Sequence, residues 1–281
     1  FCRSSVTLVA CTMLVVCGRW SQAQDATAAK AKADQPAEKQ MRTLGIVLYP
    51  QIGSKNVTAA ETPASIFAVL PVVLQHGYRY IALAHERSAN TGNLIWEVTG
   101  EDVNHQWGKS FAAEKLLNNY IQTELLSDFS YFSVLQPVYD VVIFNMLRSD
   151  TGALAATHSC NIEKPWCRRC PKCAYVWLNY MAYLPVELVQ SIFQTNLFDL
   201  PENIASYRQM LGLTEHTPFE CIGQIAETRL AFELCRRKGL SGKAMAIYTQ
   251  QFPALDIAPI LERYLDVRAE LTAIPAALLH K

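Results

Sequence analysis

No sign of charge dominates this chain. Twenty-five basic residues stand against twenty-five acidic ones in 281, so no global field draws it toward nucleic acid or an anionic membrane. No apolar run is long enough to span a bilayer, because Val6 to Val16 falls well short of the roughly 20 residues a spanning helix needs. Internal repeats are missing too, which argues against a solenoid or propeller. The first residue is Phe1 rather than Met, so the chain reads as starting inside a longer product or as coming from an incomplete gene model. Arg3 before the apolar run and Ser21 to Gln24 behind it imitate a secretory signal, with a buried strand or a mis-translated end as the competing readings. Aromatic residues are absent from Ala23 to Gln40, a stretch of mostly Ala, Lys, Gln and Asp that can bury almost nothing and reads as a linker or solvated helix. Residues 1–40 are therefore set apart as an unreliable N-terminal segment and linker.

What is present is globular: 51% hydrophobic and 18% charged residues supply a substantial core for one large domain or two smaller ones. Four of the nine cysteines fall in the run CNIEKPWCRRCPKC, at Cys160, Cys167, Cys170 and Cys173. Two overlapping CxxC steps can turn their thiolates toward one centre, and Pro171 sets a tight turn inside the second. Zinc is the favoured ion, since the CxxCxxCxxxCP run of a bacterial ferredoxin is missing; an iron–sulfur cluster and a clustered disulfide set are the alternatives. Lys164, Arg168, Arg169 and Lys172 form a local basic patch, read as offsetting ligand charge rather than as a nucleic-acid surface.

Residues 41–158 read as an α/β region. Leu44 to Leu48 is a short buried strand, Pro63 to Gln75 a helix closed by Gly77, and Tyr80 to Ala84 a second strand that runs into the polar loop HERSAN. Helix, glycine, strand and polar loop is the unit of a parallel sheet. Ligands of such sheets lie beyond the carboxyl ends of the strands, which makes Glu86, Arg87, Ser88 and Asn90 candidates, against the reading of a polar turn with an internal ion pair. A second polar cluster, Asn104, His105, Gln106, Lys109 and Ser110, precedes an amphipathic helix carrying Phe111, Leu117, Ile121 and Leu125. It could hold phosphate or carboxylate at a helix start; alternatively Ser110 is an ordinary N-cap and His105 a surface histidine. Tyr131, Phe132 and Ser133 are placed in a connection, ahead of a strand or short helix at Val138 to Phe144.

Residues 159–281 combine the cysteine knuckle with a helical region. Tyr175 to Phe193 reads as one apolar helical stretch, Asp199 and Pro201 as a cap-then-proline helix start, Gly212 as the end of that helix, Ser241 as a further start and Asp256 to Leu271 as amphipathic.

The motifs HERSAN, NHQWGKS, YFS, SCN, WCRRCPKC and HTPFECIG, in this order from about Val57 to Gly242, resemble the ATP-dependent epimerases that invert the terminal glutamate of UDP-N-acetylmuramoyl-L-alanyl-L-glutamate. The likeness covers what would be the C-terminal two-thirds of such an enzyme. The knuckle is more distantly similar to 7-cyano-7-deazaguanine synthases, which join an ATP-pyrophosphatase fold to a four-cysteine zinc site. The resemblance implies an α/β fold with a partial parallel-sheet, ATP-pyrophosphatase-like domain, followed by a zinc knuckle and a helical C-terminal region. It implies a small-molecule nucleotide-sugar peptide substrate, no nucleic-acid or membrane partner, a cytoplasmic location, and ATP, magnesium and a structural zinc as cofactors. It leaves the oligomeric state open.

The implied chemistry answers a physical problem. The α-proton of a glutamate is hard to remove beside a carboxylate that already carries charge. Adenylylation of that carboxyl, with release of pyrophosphate and then AMP, gives a carbonyl able to accept charge while a base takes the proton. Candidates for the base are His105, by its ordinary pKa, and Glu86 or Glu220 if burial raises theirs. Arg87 and Lys109 suit carboxylate or phosphate contact, and Ser88, Asn90, Gln106 and Ser110 suit ligand orientation. Phe219, Glu220 and Cys221 in HTPFECIG fall on the substrate side, or form a capping glutamate beside a core Phe and Cys. One departure stands out: these 281 residues contain no glycine-rich SGGxDS loop to hold phosphates. A zinc-stabilised relative without catalysis is therefore the alternative to an epimerase.

Overall fold

The computed structural model describes residues 13–17, 42–46, 61–92, 94–218 and 220–279. In chain order, strands β1 (Met13–Cys17) and β2 (Arg42–Ile46) precede helix α1 (Glu61–Gln75) and strand β3 (Tyr80–Leu83). A hairpin of β4 (Leu94–Trp96) and β5 (Glu101–Val103) follows, then α2 (Phe111–Tyr120), β6 (Ser130–Ser133) and α3 (Asp140–Met146). The sheet order is β2-β1-β3-β6; β3 and β6 are parallel, with Tyr80 opposite Ser130, while β1 is antiparallel to both β2 and β3. The front is mixed α/β, and β3–β6 is its parallel pair among the described strands. The signal-like run lies mostly outside the described residues, except for β1.

The helix ends follow local chemistry. Gly77, at φ 65°, closes α1: its N–H reaches the Leu74 carbonyl at 3.0 Å and the next N–H, of Tyr78, reaches Val73 at 2.8 Å. This double bond satisfies carbonyls the helix leaves open and needs a left-handed residue, which glycine adopts without a steric penalty. Ser110 begins α2, its hydroxyl accepting the Ala113 N–H at 3.2 Å.

Tyr131, Phe132 and Ser133 are not a connection but strand β6 itself. Alternation cannot reveal this strand, because Tyr131 and Phe132 are both buried and point to opposite faces of the pleat, as parallel strands covered on two sides require. Val138 to Phe144 resolves as helix, its last residues lying in α3.

The helical region comprises α4 (Pro171–Tyr183), α5 (Val186–Phe193), α6 (Pro201–Met210), α7 (Ile225–Arg237), α8 (Lys243–Gln251), α9 (Ala258–Leu265) and the short α10 (Ala276–Leu279). Cys173 to Ala182 of α4 are all buried, the mark of a helix enclosed on every side. Around it, Trp177 meets Phe193 and Phe198 edge-on at 5.4 and 5.8 Å, and Phe232 of α7 stacks on Tyr248 of α8 at 5.3 Å.

Four expectations change here. The single helical stretch from Tyr175 to Phe193 is two helices, because Pro185 forces Leu184 into an extended conformation, φ −107° and ψ 167°. Asp199 does not cap the helix that Pro201 starts, whose N-cap is Leu200. Its Oδ1 instead accepts the Lys243 N–H at 2.9 Å and so caps α8, 44 residues away. Ser241 accordingly lies just outside α8, whose N-cap is Gly242, and Asp256 to Leu271 contributes only the eight residues of α9.

Candidate functional site

The cysteine knuckle is built from a tight loop and the start of α4. Cys170 is the N-cap of that helix, accepting the Cys173 N–H on its sulfur at 3.4 Å, with Pro171 in the first turn. Cys160 arrives from the preceding loop, and its sulfur accepts the N–H groups of Ile162, Glu163 and Cys167 at 3.3–3.4 Å. The four sulfurs lie within 4.8 Å of one another, with Cys160–Cys170 at 3.9 Å and Cys167–Cys173 at 3.8 Å. A regular tetrahedron of thiolates about zinc, at ~2.3 Å per bond, has edges of ~3.8 Å. No pair is a disulfide, since these separations are nearly twice the ~2.05 Å of an S–S bond.

The electrostatics agree with a cation site. Mutual hydrogen bonding lets one thiolate form, at Cys160, and pushes the Cys170 and Cys173 thiols up, because further negative charge would be crowded against the first. A divalent cation would offset that repulsion. The surrounding cations serve backbone carbonyls: Lys164 donates to His158 and Cys160 at 2.6 and 2.7 Å, Arg168 to Phe193 at 3.3 Å, and Lys172 to Cys221. Cys160, Cys170 and Cys173 share the buried core of Trp177 and Phe193, so the knuckle joins the packing of the helical region.

A cleft of about 590 Å³ opens beside the carboxyl end of β3, within the roughly 300–1,000 Å³ of small-molecule sites. Ser88 and Gln106 line it from the front, Gly223 to Ala226 from the start of α7, and Arg263 and Tyr264 from α9. Behind its wall three carboxylates converge from separate elements: Glu86 after β3, Asp140 at the start of α3 and Glu227 in the first turn of α7. Ser88 donates its backbone N–H to Glu86 and its hydroxyl to both oxygens of Glu227, at 3.1 and 3.0 Å. Glu227 also accepts the Gln224 N–H at 2.8 Å, and Asp140 accepts the Tyr175 hydroxyl at 3.0 Å. Gly223 leaves room for this, since a Cβ there would collide with the Tyr175 hydroxyl and crowd Glu227.

Burial raises all three acids above the usual carboxylate range. Glu86 is pushed up by burial and then by the Asp140 and Glu227 charges, and Glu227 reaches about 8 through burial and the charge of Asp140. Asp140 rises through burial, opposed by Lys172 and the Tyr175 hydrogen bond. Crowded carboxylates with shifted proton affinities beside a cleft are a common signature of acid–base sites.

The expected residues divide into three groups. Ser88 and Gln106 line the cleft with Glu86 behind its wall, whereas His105, Lys109 and Glu220 gather nearer the knuckle. Burial and the Lys109 charge lower the His105 pKa, partly opposed by Glu220. Glu220 accepts from Asn161 at 2.6 Å, and the Lys109 ammonium reaches the Cys221 sulfur at 3.0 Å. Phe219 lies outside the described residues.

Arg87, Asn90 and Ser110 carry framework contacts. Arg87 lies over the Tyr139 ring at 4.3 Å and pairs with Asp266 at 3.3 Å. Asn90 donates to Gln136 at 2.9 Å and accepts the Phe111 N–H at 2.7 Å, while Gln136 donates to the Lys109 carbonyl at 2.7 Å. Asp140, Tyr175, Gln136 and Glu227 were not foreseen. Only Glu227 leaves a local trace, since Gln224 and Glu227 form a capping box.

Comparisons with known proteins give the family. Residues 57–134 match the MurL N-terminal domain and residues 154–254 the MurL C-terminal domain. The UDP-N-acetyl-alpha-D-muramoyl-L-alanyl-L-glutamate epimerase of Xanthomonas oryzae pv. oryzae is 32% identical over 203 residues, which cover 67% of this chain and 45% of that protein. The epimerase of the same name from Salinispora tropica is 34% identical over 177 residues, covering 60% of this chain and 38% of that protein. The chain thus spans less than half the length of the curated relatives it matches. No solved structure matches it. Among the described residues no helix is long and apolar enough to cross a membrane. With both domain matches in the chain order of the α/β front and the cysteine-bearing helical region, the chain belongs to the MurL family.

Proposed function

We propose that this chain is part of an ATP-dependent isomerase that converts the terminal L-glutamate of UDP-N-acetylmuramoyl-L-alanyl-L-glutamate to D-glutamate, a step of cell-wall peptidoglycan synthesis in the cytoplasm. The observation that carries the reading is the coincidence of a small-molecule-sized cleft with buried carboxyls whose proton affinity burial raises, in a chain whose relatives are named for this epimerisation. ATP with magnesium supplies adenylylation of the α-carboxyl, which makes the neighbouring C–H acidic enough for a protein base. Ser88 acts at the cleft with Glu86 behind it, and Gln106 orients the ligand. His105, Lys109 and Glu220 form a second polar group that suits a phosphate or carboxylate. Zinc on Cys160, Cys167, Cys170 and Cys173 is structural, because four thiolates leave no open position for water or substrate.

The test is exchange of the glutamate α-proton with deuterated water by the full-length protein, with and without ATP. ATP-dependent exchange accompanied by AMP release is expected; neither appearing in a folded, zinc-loaded protein would refute the reading. The second reading, a zinc-stabilised relative without catalysis, draws on the missing SGGxDS loop in these 281 residues. Calorimetric titration with ATP and magnesium separates the two, since saturable binding speaks for the epimerase.

A further inference from the structure

We propose that Ser88 and Glu227 form a proton relay at the cleft wall, with Ser88 touching the substrate and Glu227 holding the α-proton behind it. The inference rests on the epimerase reading and adds to it a residue outside the six motifs that carry the family resemblance.

The geometry has three parts. Ser88 lines the cleft although only 3% of its surface is exposed, so its hydroxyl is held between the cavity and the interior. That hydroxyl donates to both oxygens of Glu227, at 3.1 and 3.0 Å, which a carboxylate acceptor permits and which aims the serine's own lone pairs elsewhere. Glu227 is 1% exposed and absent from the cleft wall, though residues 223–226 immediately before it line that wall. A helix cap alone explains the contact with Gln224; it does not explain a serine brought from 139 residues away onto the same carboxylate. Among the described residues, those placed to share an ion are the four cysteines and the exposed trio Glu97, Glu215 and His216.

The groups facing Glu227 set its proton affinity: Asp140 on α3 and Glu86 after β3 by like charge, Arg263 on α9 in opposition, with the hydroxyls of Tyr175 and Tyr183 on α4 and Tyr264 on α9 nearby. Burial is the largest influence and carries the carboxyl to about 8. Such a carboxylate is a stronger base than an exposed one and still exchanges its proton near neutral pH.

In the step itself the α-carbon–hydrogen bond breaks and its proton passes to the Ser88 oxygen as the Ser88 proton passes to Glu227. The bonding electron pair remains on the α-carbon and spreads into the carboxyl group that ATP has adenylylated. The opposite face takes a proton from solvent at the open mouth of the cleft, and Glu227 later returns its own to solvent.

The experiment uses full-length protein carrying Glu227→Gln, Ser88→Ala or Ser88→Thr, assayed in deuterated water with the L-glutamate substrate, ATP and magnesium. AMP release and deuterium at the α-carbon are followed from pH 6 to pH 9. Gln can take the same place in the capping box, so Glu227→Gln should fold, keep zinc and release AMP while exchange drops about 100-fold or more. Ser88→Ala should do the same, and Ser88→Thr, which restores a hydroxyl, should recover most of the rate. The wild-type rate should rise toward a plateau above about pH 8, a limb absent in Glu227→Gln. Wild-type-like exchange and an unchanged pH profile in Glu227→Gln would overturn the relay and leave the epimerase standing. Loss of AMP release together with exchange would also overturn it, by assigning the pair to substrate activation. A wild-type protein with neither exchange nor AMP release would overturn the epimerase reading and the relay with it. If Glu227→Gln fails to fold, Ser88→Ala and Ser88→Thr decide the matter, because they leave the cap of α7 in place.

Discussion

Replacing Cys170 by serine isolates the metal from the fold better than any other change in the knuckle. Cys170 has two roles: its sulfur is one of the four converging thiolates, and it caps α4 by accepting the Cys173 N–H. Serine is a strong N-cap, so the second role survives and the loss falls on the metal. With free zinc held at about 100 times its dissociation constant, the wild-type protein gains about 2.7 kcal/mol from binding. For a domain of this size that corresponds to a rise of about 5–11 °C in melting temperature. Cys170→Ser should bind less than one zinc per chain, melt lower, and show little further loss when a chelator is added. The assay is zinc content by atomic emission beside thermal melts with and without chelator, and Cys235→Ser, a buried free cysteine outside the cluster, serves as the control. One tightly bound zinc per chain in Cys170→Ser, with a chelator response equal to wild type, would refute the four-thiolate site. Lost turnover with zinc and melting unchanged would refute its purely structural role.

Three further outcomes are expected. Glu114 is fully buried, accepts the Ser133 N–H at 3.0 Å, and burial pushes its carboxyl up to about 8. The folded state therefore holds a proton that the unfolded chain releases near its ordinary value, so stability falls as pH rises between about 4.5 and 8. Glu114→Gln should remove this contribution and gain about 3 kcal/mol over wild type at pH 8 relative to pH 5 in urea titrations; an identical pH dependence in both proteins would refute the assignment. Phe232→Ala empties a position fully enclosed by Phe198, Tyr207 and Tyr248 and should cost about 3–5 kcal/mol in the same titration. Gly212→Ala imposes a side chain at φ 69° with its Cβ 3.0 Å from Ile225, and a loss of about 1 kcal/mol or more is expected.

The readable parts of this protein are those set by local chemistry. The CxxC steps, the Ser110 cap and the Gly77 stop each involve residues within a few positions of one another, and each stands in the structure as expected. Misreadings arise where a distant partner decides. Asp199 looks like the cap of the helix beginning two residues later, yet its carboxylate turns to Lys243. Tyr131 and Phe132 look like loop aromatics because a four-residue strand buried on both faces has no alternation to show. Nor does local sequence show the partners of Arg87 and Asn90, since Asp266 and Gln136 lie far along the chain.

The same division runs through the candidate site. By itself the sequence determined that four thiolates would meet, that a polar loop would follow β3, and which family these motifs resemble, since all of these are written in short spacings and residue order. Only the tertiary structure decided that Ser88 leans on Glu227 and that Glu86, Asp140 and Glu227 share one buried region. The reason is physical: a carboxyl group's proton affinity depends on how much water surrounds it and which charges lie close by, and both are set by long-range packing.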